Sequence, residues 1–229
     1  AYPWVEWETE DFTGIEIWNH MSEWTENLTE ENKYRSFLHP LRTITAPPKE
    51  TLKAWDELNQ KRKVVGIGGI DAHAHKYNLV GFLEVEIFPY KVLFKSVRNH
   101  ILLDEPIKKG KSAKDIETAK RQIYNALKEG RCFIANDYVA ESKGFRFYAE
   151  HNGEKYQMGE TVTENKNVML KVMLPEMNSE IKLLRNGHII ETNKGIDAEF
   201  VVDKKGVYRI EVYHENRAWI YSNHIRINI

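Results

Sequence analysis

Apolar residues recur every three or four positions in two segments of the chain, 48–62 and 113–129. This spacing places them on one face of a helix and predicts two amphipathic helices. Ser112 and Gly130 flank the second segment in the positions of an N-cap and a C-cap residue. The ends of this helix are therefore predicted as well as its interior.

Two shorter apolar runs, 14–19 and 64–70, predict buried strands. The second run is rich in glycine, follows the first helix directly and contains no polar residue. Such a run is typical of a parallel strand that is covered on both faces. Strands and helices that alternate over residues 1–143 predict an α/β unit.

From residue 144 onward the hydrophobic period shortens to two. Alternating runs predict strands at 145–150, 155–158, 168–174, 180–185, 188–192, 197–202, 206–213, 217–221 and 224–228. Asn152-Gly153 and Asn186-Gly187 are dipeptides that favour tight hairpin turns. Short strands at this spacing over residues 144–229 predict an immunoglobulin-like β-sandwich domain. The predicted fold class is therefore α/β followed by all-β.

Asp71 and His73 follow the second predicted strand directly and are the strongest candidates for a functional site. In α/β folds, ligands gather at the carboxyl ends of the strands. Residues two apart on an extended segment point to the same side, so this carboxylate and this imidazole can bind one metal ion. Zinc, manganese and iron accept such ligands. The pattern predicts a metal site.

Four further residues are candidates for an additional or supporting role at the same site: Glu16, Asn19, His20 and His75. His75 continues the alternation, or else faces solvent. Glu16 lies between two apolar residues, and it either meets a metal or a basic group or faces water. Asn19 and His20 follow the first strand. No residue is assigned a catalytic role, because the chain has no nucleophile elbow, P-loop or dinucleotide fingerprint.

Charge is distributed unevenly, although the net charge is only −1. Residues 1–32 contain nine acidic and no basic side chains, residues 33–143 contain 21 basic and 13 acidic ones, and residues 144–229 contain 12 of each. Either the first two segments pack together and compensate their charges, or the middle segment faces an anionic substrate. A pI near 6.9 and the lack of a basic stripe argue against nucleic acid as a partner.

The composition excludes several classes of protein. No run of about 18 or more apolar residues occurs, so no membrane span is expected. The single cysteine, Cys132, excludes an internal disulfide and suits a reducing compartment. No signal peptide is visible, and we expect a cytoplasmic protein. The chain begins with Ala1 rather than Met, which we interpret as the loss of an upstream segment.

The residues around the candidate ligands resemble a known family. Gly66-Ile67-Gly68-Gly69-Ile70-Asp71-Ala72-His73 is similar to the G-x-G-S-D-A-H block of PHP-type (polymerase and histidinol phosphatase) metallohydrolases, although the family usually has serine at the position of Ile70. Segments 14–19 and 52–58 resemble the strand and the helix that precede this block. Residues 88–90 and 219–223 are similar to the CehA/McbA branch, which appends a C-terminal β-domain.

The resemblance implies a distorted, TIM-like barrel with metal ions at the carboxyl ends of its strands. It implies that Asp71 and His73 are metal ligands and that Glu16 and Asn19 match family positions. The family's His-x-His strand and its other upstream ligands are absent from this chain. We therefore expect a fragment, the C-terminal half of the barrel over residues 1–143, followed by the β-domain.

The implied function is that of a metal-dependent phosphoesterase or related hydrolase, with Mn, Zn or Fe as the metal and a small phosphorylated or ester substrate. Two ligands are too few for a catalytic metal, so we expect weak metal binding and no activity from this chain alone. Open strand edges favour a homo-oligomer. The alternative function is a non-catalytic module whose β-sandwich binds a sugar or a protein, beside a degenerate α/β half.

Overall fold

The computed structural model describes residues 5–6, 8–78, 81, 84–110, 112–163, 166–175 and 177–228, without the side chains of residues 75, 77, 85 and 87. The first part contains β1 (Gly14–Asn19), α1 (His20–Glu26), α2 (Lys33–Leu38), a 3₁₀ turn (Pro40–Arg42), α3 (Lys49–Lys61), β2 (Val65–Gly69), β3 (His75–Asn78), β4 (Glu84–Ile87), α4 (Tyr90–Leu93), β5 (Val97–Ile101), α5 (Ala113–Glu129) and β6 (Cys132–Asn136). The second part contains β7 (Arg146–His151), β8 (Glu154–Gln157), β9 (Thr161–Val162), β10 (Val168–Met173), β11 (Ser179–Arg185), β12 (His188–Gly195), β13 (Asp197–Val202), β14 (Gly206–His214), β15 (Arg217–Ser222) and β16 (Ile225–Ile227).

Helix α5 has the predicted bounds because both of its ends are capped by local residues. The Asp115 N–H donates a hydrogen bond to Ser112 Oγ at 3.1 Å. Gly130 adopts a left-handed φ of 79° at the C-cap, and its N–H donates to carbonyls of the last turn. Within the described part of the chain, no helix is long and apolar enough to cross a lipid bilayer.

Strands β1 and β2 form a parallel pair, in agreement with the parallel strand predicted at 64–70. The pairing runs from Gly14 opposite Val65 to Asn19 opposite Gly69. Parallel strands need a long crossover connection, and here it contains α1, α2 and α3. Helix α3 packs so closely on β2 that a Cβ on Gly66 would lie 2.5 Å from the indole of Trp55. The close contact between this helix and this strand therefore requires glycine.

The largest sheet has eight strands, in the order β12-β11-β14-β15-β6-β5, with β16 paired to β14 and β9 paired to β16. Neighbouring strands are antiparallel except β9 and β16. Strand β15 pairs with β6, Ile220 lying opposite Ala135. The sheet therefore joins strands from both sides of residue 144.

A second, four-stranded sheet has the order β13-β10-β7-β8 and is antiparallel. Phe147 and Leu170 of this sheet pack against Ile210 and Ile220 of the eight-stranded sheet. Because side chains alternate between the faces of a strand, one face of each sheet fills this core. The two sheets therefore pack face to face.

The opposite face of the eight-stranded sheet is covered by β1, β2 and α3. Trp18 and Trp55 pack there against Ile134 and Tyr221. Strand β6 is buried at every position because both of its faces are covered. The protein is therefore built of three layers, with the eight-stranded sheet in the middle.

The predicted α/β barrel is wrong. In the described part of the chain, strands account for 39% of the structure and helices for 24%, and the sheets do not form a TIM-like barrel. Such a barrel needs successive parallel strands joined by helices. Strand β5 instead pairs antiparallel with β6, although α5 lies between them in the sequence. Hydrophobic periodicity reports which residues are buried, but it does not report strand direction.

The all-β prediction for the second part is confirmed. Every predicted strand is present, and β12 continues to Gly195, beyond its predicted end at residue 192. Asn152 and Asn186 adopt left-handed φ angles of 50° and 52° in the two hairpin turns. The predicted immunoglobulin-like sandwich is not confirmed: two sheets pack face to face, but the larger one includes β5 and β6 from the first part.

Candidate metal site

Strands β1 and β2 end side by side, and the residues predicted for the metal site lie at this shared edge. Asn19 and Gly69 are paired at the last position of the ladder. A Cβ on Gly69 would approach Glu16 Oε1 to 1.8 Å, so a larger residue at this position would displace the carboxylate from where it lies. The glycine that ends β2 thus allows Glu16 to lie against the strand end.

Asn19 connects the edge to helix α1. Its Oδ1 accepts a hydrogen bond from the Ser22 N–H at 2.9 Å and caps the helix. Its Nδ2 donates to Glu16 Oε2 at 2.8 Å. Both ends of the amide are therefore in use, and the role that the structure gives Asn19 is to orient Glu16, whose side chain is exposed.

Asp71 and His73 follow β2 on a turn and not on an extended segment. Asp71 and Ala74 both have a left-handed φ of 49°, so the chain bends twice and the expected strand alternation does not apply. The two side chains are neighbours nevertheless. His73 Nδ1 lies 2.6 Å from the Asp71 carbonyl oxygen and 3.7 Å from Asp71 Oδ1. Both are about half exposed, so this carboxylate and imidazole can meet a cation from solvent.

His20 begins α1 and is fully buried. Ser96 Oγ donates to the Leu93 carbonyl at 2.7 Å, so it accepts from the His20 Nδ1–H at 2.8 Å. His20 Nε2 is then a bare acceptor, with no hydrogen-bond partner among the described residues. Burial lowers the pKa of His20 to about 4, and the ring is neutral at pH 7. A neutral imidazole with a free lone pair is the form that binds metals.

The structure brings these candidates together only in part. In the described ranges, no three His, Cys, Asp or Glu side chains lie close enough together to hold a metal ion. His75 opens β3, and its side chain lies outside the described residues. Asp71 and His73 are in contact with each other, and Glu16 and Asn19 are in contact with each other on the neighbouring strand end.

Two asparagines that support this edge are missed by sequence reasoning. On the side of β2 that faces away from β1, the Gly68 N–H donates to Asn99 Oδ1 at 2.8 Å and Asn99 Nδ2 donates to the Gly68 carbonyl at 2.7 Å. Asn223 forms the same pair of bonds with Gly66, at 2.8 and 3.0 Å. The two side chains replace a neighbouring strand, and no local pattern around Asn99 or Asn223 indicates this.

A Ser-His-Asp cluster lies elsewhere in the structure, but its connectivity does not suit nucleophilic catalysis. His100 Nε2 contacts both Ser142 Oγ and Asp137 Oδ2, each at 2.9 Å. A catalytic triad instead uses the two different ring nitrogens for serine and aspartate. Ser142 is fully buried and donates its hydroxyl to Asp137 Oδ1 at 2.5 Å. Although burial raises the pKa of Asp137, hydrogen bonds from His100 and Ser142 lower it overall.

Comparison of the chain with protein-family models, with curated proteins and with solved structures gave no match. The relationship to PHP-type hydrolases therefore stays a resemblance of the 66–73 block and its flanking segments. The geometry of the site is the remaining guide to function.

Proposed function

We propose that the protein contributes Asp71 and His73 as ligands of a divalent metal ion, Mn, Zn or Fe, in a metal-dependent phosphoesterase or related hydrolase. The observation that carries this proposal is the parallel pairing of β1 and β2. It brings the candidate residues of two distant segments to one edge, where ligands gather in sheets of parallel strands.

A metal at this edge would lower the pKa of a bound water toward neutrality and polarise a phosphoryl or carbonyl oxygen. Asp71 and His73 supply a carboxylate and an imidazole, both accessible from solvent. Glu16, fixed by Asn19, offers a carboxylate on the adjacent strand end. A small phosphorylated or ester compound is the substrate class that this chemistry serves.

A catalytic metal takes about three protein ligands and an open position. In this proposal Asp71 and His73, which are in contact, are two of these ligands, and the remaining ligand comes from another part of the protein or from a second copy. The chain by itself then binds metal weakly and hydrolyses little. Its location in this proposal is the cytoplasm, which the single cysteine supports, because the chain cannot form an internal disulfide.

Calorimetric titration with Zn²⁺ and Mn²⁺ tests the proposal. We expect Asp71→Asn and His73→Gln each to weaken metal binding by roughly tenfold or more, because each removes one of the two ligands. His188→Gln is the matched control, since His188 is exposed on β12.

Equal affinity in the wild type and in both site variants would contradict the proposal and favour a binding module instead. Vigorous hydrolysis of p-nitrophenyl phosphate by this chain, lost in Asp71→Asn, would show that the site is complete as it stands.

A further inference from the structure

Two arginines, Arg42 and Arg217, lie around one tyrosine, Tyr138, although they are far apart in the chain. Arg42 ends the 3₁₀ turn, Arg217 begins β15, and Tyr138 follows β6. Arg42 Nε lies 3.4 Å from the Tyr138 hydroxyl oxygen, and Arg217 Cζ lies 5.4 Å from the centre of the Tyr138 ring. Arg217 Nη2 also lies 3.5 Å from the carbonyl oxygen of Leu41, the residue before Arg42. The two cations therefore occupy one place in the structure.

Neither guanidinium group has a carboxylate partner. The described residues contact them through the Tyr138 side chain and the Leu41 carbonyl, and no carboxylate is among these contacts. Both distances exceed the ~2.9–3.0 Å of a strong N–H···O bond, so these contacts hold the two groups only weakly. The carboxylate of Asp137, next to Tyr138, is 4% exposed and already pairs with Arg98 and His100. Two neighbouring cations repel each other, so an anion that binds both is favoured.

The donors of this group are open to solvent. Arg42 is exposed, and so is its contact with the Tyr138 hydroxyl. Arg217 is half-buried, but its Nε and Nη1 have no partner in the described part of the chain and are not among the buried nitrogen atoms that lack one. These atoms are therefore accessible to a ligand. The Tyr138 hydroxyl accepts from Arg42 and keeps its own proton for a ligand.

One hydrophobic cluster carries both this group and the candidate metal site. Leu41 is a buried member of the cluster, and Tyr138 packs against it. Ile70 and Ala72, the residues on either side of Asp71, pack against the same cluster. The two arginines and the candidate metal ligands are therefore fixed relative to each other by one packed unit.

We propose that Arg42, Arg217 and Tyr138 bind a phosphoryl group, and that this group belongs to the substrate. The first part stands on the three side chains alone, whereas the second part rests on the proposed function. Each guanidinium is a planar fork of N–H donors, which suits phosphate oxygens, and two cations match the charge of a phosphate dianion. The inference favours phosphorylated substrates over neutral esters. It also gives a role to the basic excess of residues 33–143, to which Arg42 belongs.

Calorimetric titration of the metal-free protein with inorganic phosphate at pH 7.5 tests the site. We expect a dissociation constant of about 1 mM or below, and roughly tenfold weaker binding of acetate, because acetate carries a single charge. Arg42→Gln and Arg217→Gln should each weaken phosphate binding by roughly tenfold, since each removes one cation. Arg121→Gln is the matched control, since Arg121 is exposed on α5 and pairs with Glu117.

Nitrogen-15 spectra of the arginine side chains in the wild-type protein give a readout that does not depend on a variant's folding. Addition of phosphate should shift the Nε–Hε signals of Arg42 and Arg217, and the Arg121 signal should not change. Absence of phosphate binding at millimolar concentration, equally tight binding of acetate, or unchanged Arg42 and Arg217 signals at saturating phosphate would each overturn the proposal.

The substrate class is tested by competition. p-Nitrophenyl phosphate, a phosphate monoester, should displace phosphate from the metal-free protein, whereas the neutral triethyl phosphate should not. A monoester that fails to compete would overturn the assignment to substrate. Because no metal is present, these results are independent of Asp71 and His73. Metal titrations that are unaffected by Asp71→Asn would refute the proposed function and leave the phosphate site standing.

Discussion

Arg209, on β14, is buried and binds two carboxylates at once. Its Nη1 donates to Glu211 Oε1 at 2.7 Å, while Nε and Nη2 bind Asp56. Burial raises the pKa of Asp56, but hydrogen bonds from Arg209 and His224 lower it to about 2. Replacing Arg209 would leave Asp56 and Glu211 buried without their cation, which costs about 3–5 kcal/mol. The ion pair between Arg209 on β14 and Asp56 on α3 therefore fixes the position of this helix on the sheet.

His20 makes the stability of the protein depend on pH. Its pKa is about 4 in the folded state against 6.5 when it is unperturbed. Between these values the unfolded chain binds more protons, so the free energy of unfolding falls as the pH falls from 6.5 toward 4. We expect His20 to account for a loss of about 2 kcal/mol between pH 7.5 and pH 5.0, measured by urea unfolding.

The variant His20→Gln removes this titration and should reduce the acid-induced loss by that amount. His224 contributes in the same direction, because burial lowers its pKa as well, and this part should persist in the variant. The exposed His188→Gln control should keep the wild-type pH dependence. A wild-type slope in His20→Gln would show that His20 is not the group responsible.

At the scale of elements, β2 is held like the central strand of a sheet, although among the described residues it pairs with one strand, β1. Its other side is bound by the amides of Asn99 and Asn223, at Gly68 and Gly66 respectively. Every second residue of a strand presents its backbone groups to the same side. The two glycines that the amides bind are therefore two residues apart. Asn223 also donates to the Cys132 carbonyl at 2.9 Å, so it joins β2 to β6.

We expect the two asparagines to differ in their contribution to stability. Asn223 is 2% exposed, so Asn223→Ala leaves backbone groups of Gly66 and Cys132 unpaired and should lower the free energy of unfolding by roughly 2–4 kcal/mol. Asn99 is exposed, so water can replace its amide, and Asn99→Ala should cost about 1 kcal/mol or less. Urea unfolding of both variants measures the difference. Equal losses would show that the edge of β2 is bound in another way.

At the scale of the whole molecule, each of the two faces of the eight-stranded sheet belongs to a different hydrophobic core. Leu170 belongs to the core between the large sheets, and Ile17 belongs to the core beneath β1, β2 and α3. Strands β6 and β15 contribute side chains to both cores. Loss of either core would therefore expose a face of the central sheet.

We expect the molecule to unfold in a single transition for this reason. Leu170→Ala and Ile17→Ala should each lower the midpoint of that one transition, by roughly 2–5 kcal/mol in free energy. Circular dichroism and tryptophan fluorescence should coincide in both variants. Two separate transitions, each sensitive to only one of the substitutions, would contradict this expectation.

The sequence predicts which residues belong to the candidate site, but it does not predict how they are arranged. The position of Asp71 and His73 after a buried strand follows from a local apolar run, whereas the parallel pairing of that strand with 14–19 is decided by the tertiary structure. The turn at Asp71, with its left-handed φ, does not follow from the sequence either, because the surrounding structure sets that backbone conformation. The arginine pair was not predicted at all, since Arg217 and Leu41, which are in contact, are 176 positions apart in the chain.

The sequence alone determined the features that depend on residues close together in the chain. Helix α5 begins and ends as predicted because Ser112 and Gly130 cap it, and the strands beyond residue 144 follow an alternation that each strand carries in itself. The tertiary structure alone decided strand direction and partnership, above all the antiparallel pairing of β6 with β5 and β15. An apolar run reports that a strand is buried, but which strand lies beside it depends on contacts between residues far apart in the chain.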